Sequence, residues 1–208
     1  MRTVKSSFEI VSSTPNLEEL IEMAGRTAWR SEDKVGPGTA GPFIQRMKNM
    51  KHESVLEHGS ISVVIVCDRG ITHELVRHRV ASFTQESTRY CNYSKDKFGR
   101  EITCIEPDFW AESEDSLDFK RMRLWQQCCE VAEQTYFALL DSGSTPQEAR
   151  CVLPNSLATS IVITANPREW RHIFKLRCDK AAHPQMREIM VPMRAQFGLL
   201  WPAIFNND

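Results

Sequence analysis

The part of this sequence best equipped for chemistry begins with three consecutive side chains, Arg77, His78 and Arg79, and continues shortly after with Gln85-Glu86-Ser87-Thr88-Arg89-Tyr90. Arginine stays charged, and its planar fork suits phosphate oxygens bidentately. A row of this kind therefore points to an anionic ligand. Taken as the end of a helix from about Thr72, its cap, to about Ala81, the segment projects successive residues about 100° apart, so Arg77 and Arg79 cannot share a face. The apolar neighbours Leu75, Val76, Val80 and Phe83 argue that much of this helix end packs. Two readings follow: an oligomer interface with an anion site on each side, or a helix edge whose charges are satisfied by Glu74 and Glu86. His73 and His78, five apart, cannot chelate one metal ion from a regular helix, and no metal is expected.

A second cationic stretch runs from Asn166 to Arg194, with seven basic residues against Glu169, Asp179 and Glu188; the first, Arg77 to Arg100, has six against Glu86 and Asp96. The whole chain of 208 residues nevertheless carries a formal net charge of -1. Cations gathered in two places within a neutral protein describe a localised anion site better than a general nucleic-acid surface. A non-catalytic nucleic-acid-binding module is kept only as a remote alternative. The seven cysteines form no Cys-x-x-Cys pair, which argues against a zinc site or a secreted disulfide framework and for reduced cytoplasmic thiols. Cys91 and Cys178 lie near the cationic residues but lack a clear basic partner, so buried structural thiols are expected. No apolar run is long enough to span a membrane and no export signal is visible. Gly36-Pro37-Gly38-Thr39-Ala40-Gly41 matches a dinucleotide fingerprint in letters, but a charged segment precedes it where a strand is required, and it reads as a loop.

Arg77-His78-Arg79, then seven residues, then Ser87 and x-Arg89-Tyr90, resembles the signature of flavin-dependent thymidylate synthases. His52-Glu53 with Leu56-Glu57-His58, Glu148-Ala149-Arg150-Cys151-Val152-Leu153-Pro154, Asn166-Pro167-Arg168 and Leu176-Arg177 resemble further elements of that family in the same order. The resemblance implies a homotetramer that methylates deoxyuridylate (dUMP) at C5, with methylenetetrahydrofolate as carbon donor, FAD as hydride carrier and NADPH as reductant. By the same resemblance, Arg77, His78, Arg79, Ser60, Gln85, Asn166, Arg168 and His172 would hold the flavin, with His58 and His183 as further flavin or folate residues. Glu74, Arg77, Gln85, Glu86 and Arg150 would contact the nucleotide, and Ser87, Thr88 and Arg89 would bind its phosphate from a neighbouring subunit. Arg177 would be the activating residue; its guanidinium cannot act as a base, but it can stabilise charge as the ring becomes nucleophilic. Two positions depart from the family pattern. Thr84-Gln85 stands where Asn-Glu is common, which raises a different or modified pyrimidine nucleotide as the alternative substrate, and His172 stands where asparagine is frequent.

The elements that must carry these residues read as one α+β domain around a largely antiparallel sheet, with a parallel pair left open. Strands are expected over Val4 to Val11, Ser60 to Cys67, Thr103 to Ile105 and Leu157 to Ala165. Helices are expected from the cap Asn16 to about Ala28, over Pro42 to Met50, over Ser116 to about Leu140 with a stop at Asp141-Ser142-Gly143, from Pro146 to before Pro154, from Asn166-Pro167 to about Cys178, and from His183 to near Trp201-Pro202 with a break at Pro192. His183 doubles as a candidate helix cap, Arg171 as a plain surface charge, and the five tryptophans as core residues.

Overall fold

A computed structural model describes residues 1–111 and 116–206. The chain divides into two compact units. The first comprises Met1–Ser7, Ile65–Arg77 and Thr84–Ile161, and the second Phe8–Val64, His78–Phe83 and Val162–Asp208. In chain order the elements are β1 (Arg2–Val4), β2 (Ser7–Ser13), α1 (Leu17–Thr27), α2 (Ala40–Asn49), β3 (Ile61–Asp68), α3 (Arg69–Leu75), β4 (Ala81–Gln85), β5 (Thr103–Ile105), α4 (Asp108–Ala111), α5 (Ser116–Asp141), α6 (Pro146–Ala149), β6 (Ala158–Ala165), α7 (Pro167–Arg177), α8 (Pro184–Leu200) and α9 (Pro202–Phe205). Four strands form an antiparallel sheet in the order β2-β3-β6-β4. The separate pair β1–β5 is parallel, in the register Arg2↔Thr103, Thr3↔Cys104 and Val4↔Ile105. Along β3 and β6 nearly every second residue is buried, the period-two pattern of a sheet with one face packed.

In the first unit the core gathers Tyr93, Ile102, Cys104, Cys129, Tyr136, Phe137, Ala149 and Leu157. The long helix α5 supplies three of these, and its Glu133 ties down the chain start by accepting from the Met1 ammonium at 2.8 Å and from the Ile102 amide at 2.8 Å. In the second unit Trp170, Phe174, Phe197, Trp201 and Phe205 stack edge to face or tilted, with centroids between 5.0 and 6.2 Å apart. Trp170 completes its polar account by donating from Nε1 to the Ile61 carbonyl at 3.0 Å. Lys48, buried beside them, donates to the carbonyls of Ala203, Ile204 and Asn206 and so caps the end of α9.

Several expectations need correction. The first strand is two, because β1 leaves at Val4 to pair with distant β5. Asn16 holds the cap position of α1, but its backbone is left-handed (φ 48, ψ 48) and its side chain bonds no amide of the first turn; a capping oxygen reaches those amides from extended backbone. Asp68, not Thr72, caps the third helix, accepting from the Ile71 amide at 2.7 Å, and that helix ends at Leu75. Arg77, His78 and Arg79 therefore lie in the turn between α3 and β4 rather than on a helix. Their side chains are therefore not set about 100° apart by a helix, and β4 begins at Ala81, where the helix was expected to end. The last long helix passes through Pro192 unbroken, since Ile189, Met190, Met193 and Phe197 bury it on both sides of the proline; one lost hydrogen bond is outweighed by that packing. Trp170 is fully buried, whereas Trp29 is 54% exposed with the Arg46 guanidinium over its ring, so the core expectation fails at Trp29.

Candidate active site

Helix α7 organises the chemistry of the second unit. Asn166 accepts from the Glu169 amide at 2.8 Å and Pro167 occupies the first turn, which fixes where the helix begins. Trp170, Ile173 and Phe174 form its buried stripe, and Arg177 follows at the same spacing. Arg168, Arg171, His172 and Lys175 occupy the other side and line a cleft of about 1060 Å³. Glu53, Glu57, Val80, Glu169, Cys178, Lys180, Arg194 and Phe205 are among the remaining walls. Two of the cations are already paired with the short helix before β3: Arg168 bonds Glu57, and Arg171 donates to Glu53 at 2.9 Å. The bland reading of Arg171 thus gives way to an ion-paired, cleft-lining one.

His78 is the buried member of the cationic triplet, 5% exposed, while Arg77 and Arg79 are exposed in this chain. The expected packing of the arginines is thus taken over by the histidine. Its Nε2 accepts from Arg177 Nε at 3.0 Å, its Nδ1 lies 3.5 Å from Glu169 Oε1, and its ring meets that of His172 edge on at 5.7 Å. Burial first, then the Arg177 charge, then His172 push its pKa down to about 4, so the imidazole is neutral at physiological pH. Burial raises the Glu169 carboxyl above its ordinary value, with His172 opposing. His78, Glu169 and His172 each bring a potential ligand atom within 4.8 Å of the others. Proton placement works against a cation here: with Nε2 accepting from Arg177, Nδ1 carries the ring proton and has no lone pair for a metal.

A smaller hollow of about 370 Å³ is lined by Ser60, Arg79, Val80, Ser82 and Asn166, among others. Beside it, Gly59 has φ +87, and a Cβ there would fall 2.4 Å from buried Leu17 Cδ1, so glycine is required where the chain turns into β3. His58 is exposed at the end of the short helix Glu53–Glu57. His183 caps α8, its Nδ1 accepting from the Gln185 amide at 3.3 Å. Neither is among the residues lining the two cavities. Cys178 lines the cleft with its thiol raised by burial, against Arg194 and Arg187, which leaves it a poor nucleophile.

The first unit holds the other group of candidate residues. Gln85 donates to Thr72 Oγ1 at 3.0 Å and to Thr159 Oγ1 at 3.3 Å. Glu86 accepts from the Tyr93 hydroxyl at 2.7 Å, and Arg69 donates to its carbonyl at 3.4 Å. Next comes a turn in which the Ser87 carbonyl accepts from the amides of Tyr90 and Cys91, and Ser87 Oγ from the Arg89 amide. Thr88 is buried, and Arg150, from the turn after α6, donates to its Oγ1 at 3.4 Å. Arg89 is exposed with its guanidinium over the Tyr90 ring. Glu74 sits half-buried on α3, one residue before its last, and its carbonyl accepts from the Arg77 amide. Hydroxyls, a buried threonine and two exposed guanidinium groups are a donor set for a phosphate. Glu169, Tyr93 and Thr159 were not foreseen from sequence. Glu169 alone left a local signal, standing three residues after a capping asparagine, where the first turn turns inward.

Comparison with known proteins adds independent information. The Thy1 family, described as thymidylate synthase complementing protein, matches residues 9–203. A flavin-dependent thymidylate synthase from Geobacter sulfurreducens is 32% identical over 205 residues, covering 95% of this chain and 84% of the relative. One from Mycobacterium tuberculosis is 32% identical over 206 residues, covering 90% and 78%. Among solved structures, the UMP/dUMP methylase PolB from Streptomyces cacaoi bound with 5-Br dUMP superposes with a TM-score of 0.81 at 25% identity, covering 99% of this chain and 95% of that one.

Proposed function

Because the chain belongs to the Thy1 family, whose relatives are flavin-dependent thymidylate synthases, we propose that it methylates dUMP at C5, with methylenetetrahydrofolate as carbon donor. The single observation that carries this reading is Arg177, a permanent cation bonded to the neutral His78, whose own neighbours Glu169 and His172 line a cleft with Arg168, Arg171, Lys175 and Arg194. The family is flavin-dependent, and the cleft suits FAD on its own chemistry: Phe174, Phe205 and Val80 offer apolar wall for a ring system, and the arginines and lysines offer donors for a pyrophosphate. Ser60, Arg77, His78, Arg79, Gln85, Asn166, Arg168 and His172 are the residues that the resemblance assigns to it. When bound, flavin supplies the hydride, drawn from NADPH, that reduces the transferred carbon to a methyl group.

The protein's own part is binding and charge. Ser87, Thr88, Arg89 and Arg150 grip the nucleotide phosphate, and Arg177 faces the pyrimidine. As C5 gains nucleophilic character, negative charge accumulates on the ring oxygens, and a fixed guanidinium stabilises it without having to reorganise. The guanidinium keeps its protons throughout, so Arg177 acts by its charge and not as a base. The phosphate group and Arg177 are assigned to different copies of the chain in a homotetramer. Leu117, Leu124 and Val131, seven apart along α5 and all more than half exposed, are the kind of apolar stripe that a neighbouring copy covers.

A second reading keeps the chemistry and widens the substrate to the ribonucleotide UMP. It is favoured by Gln85, whose carboxamide is tied to Thr72 and Thr159 where a carboxylate is common in the family, and by the likeness to a UMP/dUMP methylase. The test is direct. Protein loaded with FAD should be yellow and, given NADPH and methylenetetrahydrofolate, should convert dUMP to thymidylate. Parallel assays with UMP distinguish the two readings, and a protein that cannot be loaded with flavin contradicts both.

A further inference from the structure

An arginine that stabilises a developing charge is useful only if its plane is fixed before the charge appears, and the structure contains a device for fixing it. Arg177 lies at the last turn of α7 and Glu169 in its first, eight residues and roughly 12 Å apart along the helix axis, too far for their backbones to bring them into contact. His78, entering from the turn before β4, stands between them. Its Nε2 accepts the Arg177 Nε–H at 3.0 Å and its Nδ1 faces Glu169 Oε1 at 3.5 Å.

Imidazole can carry its proton on either nitrogen, and only one choice serves Arg177. With the proton on Nδ1, Nε2 offers a lone pair to the guanidinium; with the proton on Nε2, two N–H groups confront each other. His78 is 5% exposed and Glu169 9%, so bulk water does not decide between these states. The Arg177 Nε–H favours the first state from one side, and the carboxylate facing Nδ1 reinforces it from the other, because it stabilises a proton there and repels a lone pair. The backbone that carries Glu169 is fixed, since its amide donates to Asn166 Oδ1 at 2.8 Å at the start of α7. His172 flanks the pair as a ring contact at 5.7 Å.

We propose that Glu169 is a positioning residue for Arg177, acting through His78 by fixing the imidazole tautomer that accepts from the arginine. This rests on the reading that Arg177 activates the pyrimidine. The arrangement is the same in kind as the carboxylates that orient histidines in metal sites, where loss of the orienting group commonly costs about 10- to 100-fold, but here the oriented partner is a guanidinium.

The test is a cycle of four FAD-saturated proteins: the natural chain, Glu169→Ala, Arg177→Ala and the double variant. Each is followed by tritium release from C5-labelled dUMP, with kcat and KM separated. Glu169→Ala should lower kcat on the order of ten-fold with little change in KM, and the double variant should be no slower than Arg177→Ala alone, as expected when one residue acts only through the other. Glu169→Gln, which keeps an acceptor oxygen of the same reach, should recover part of the loss and serves in place of the alanine variant if that one fails to fold. Losses that multiply in the double variant, or a loss confined to KM, overturn the proposal. Histidine nitrogen NMR of the flavin-loaded natural protein gives a separate reading: His78 protonated on Nδ1 supports the proposal and protonated on Nε2 overturns it, whatever Arg177 does. An Arg177→Ala protein of full activity overturns the role of Arg177 itself, a failure recognisable because it needs no Glu169 variant.

Discussion

The two groups of candidate residues are built on opposite principles. In the second unit three arginines of the candidate site are already held: Arg168 by Glu57, Arg171 by Glu53, Arg177 by a buried neutral histidine. In the first unit, exposed Arg89 rests over a tyrosine ring, and exposed Arg150 reaches a buried threonine at 3.4 Å. The first arrangement costs little reorganisation when a transition state forms. The second leaves guanidinium groups able to follow a ligand, as a phosphate grip requires. On the proposed reading, the arginine that would meet developing charge is held in place, while the guanidinium groups that would grip the nucleotide phosphate are left adaptable.

That contrast can be broken experimentally, and the largest effect concerns stability. Folded His78 has a pKa of about 4 against an ordinary 6.5, so between those values the unfolded chain binds a proton that the folded chain refuses. Stability should be unaffected by this group above the window and fall as pH drops through it, by up to about 3 kcal/mol at about 1.4 kcal/mol per unit. Urea unfolding at a series of pH values checks this, and His78→Gln should flatten the decline. A smaller effect belongs to the first unit. Arg89→Ala should raise the KM for dUMP about 10- to 100-fold, the loss of one charge-assisted contact of roughly 1.5–3 kcal/mol, with kcat changed less. An equal loss in kcat would mean that the phosphate grip also aligns the ring. The smallest is Glu57→Gln. Its pair with Arg168 is about half exposed on both sides, and such pairs contribute less than about 1 kcal/mol, so thermal unfolding should shift by no more than a few degrees.

What could be read in the sequence follows the same division between local and distant causes. The start of α7 was legible because Asn166 and Pro167 are local punctuation, and β5, β6 and α5 were legible because their period and their stops lie within a few residues. The third helix was misplaced because Leu75, Val76, Val80 and Phe83 imitate a helical stripe, whereas Asp68 starts the helix earlier and β4 takes over the tail with an alternating pattern. β1 could not be separated from β2 without knowing of β5, a hundred residues on. The residue types of the candidate site were visible, but not the contact between His78 and Arg177, which are 99 positions apart, nor Glu169 behind it. Charge and motif announced an anion site; which nitrogen faces which was a matter of packing.

The central claim is that Arg177, held by His78, serves the chemistry on the pyrimidine and not the retention of the cofactor. Its most direct test is Arg177→Ala, followed by the flavin absorbance spectrum and by tritium release from C5-labelled dUMP. The account predicts a flavin spectrum close to that of the natural protein together with a loss of tritium release on the order of 100- to 1,000-fold. Tritium release at the natural rate, or a variant that fails to bind flavin, would contradict it.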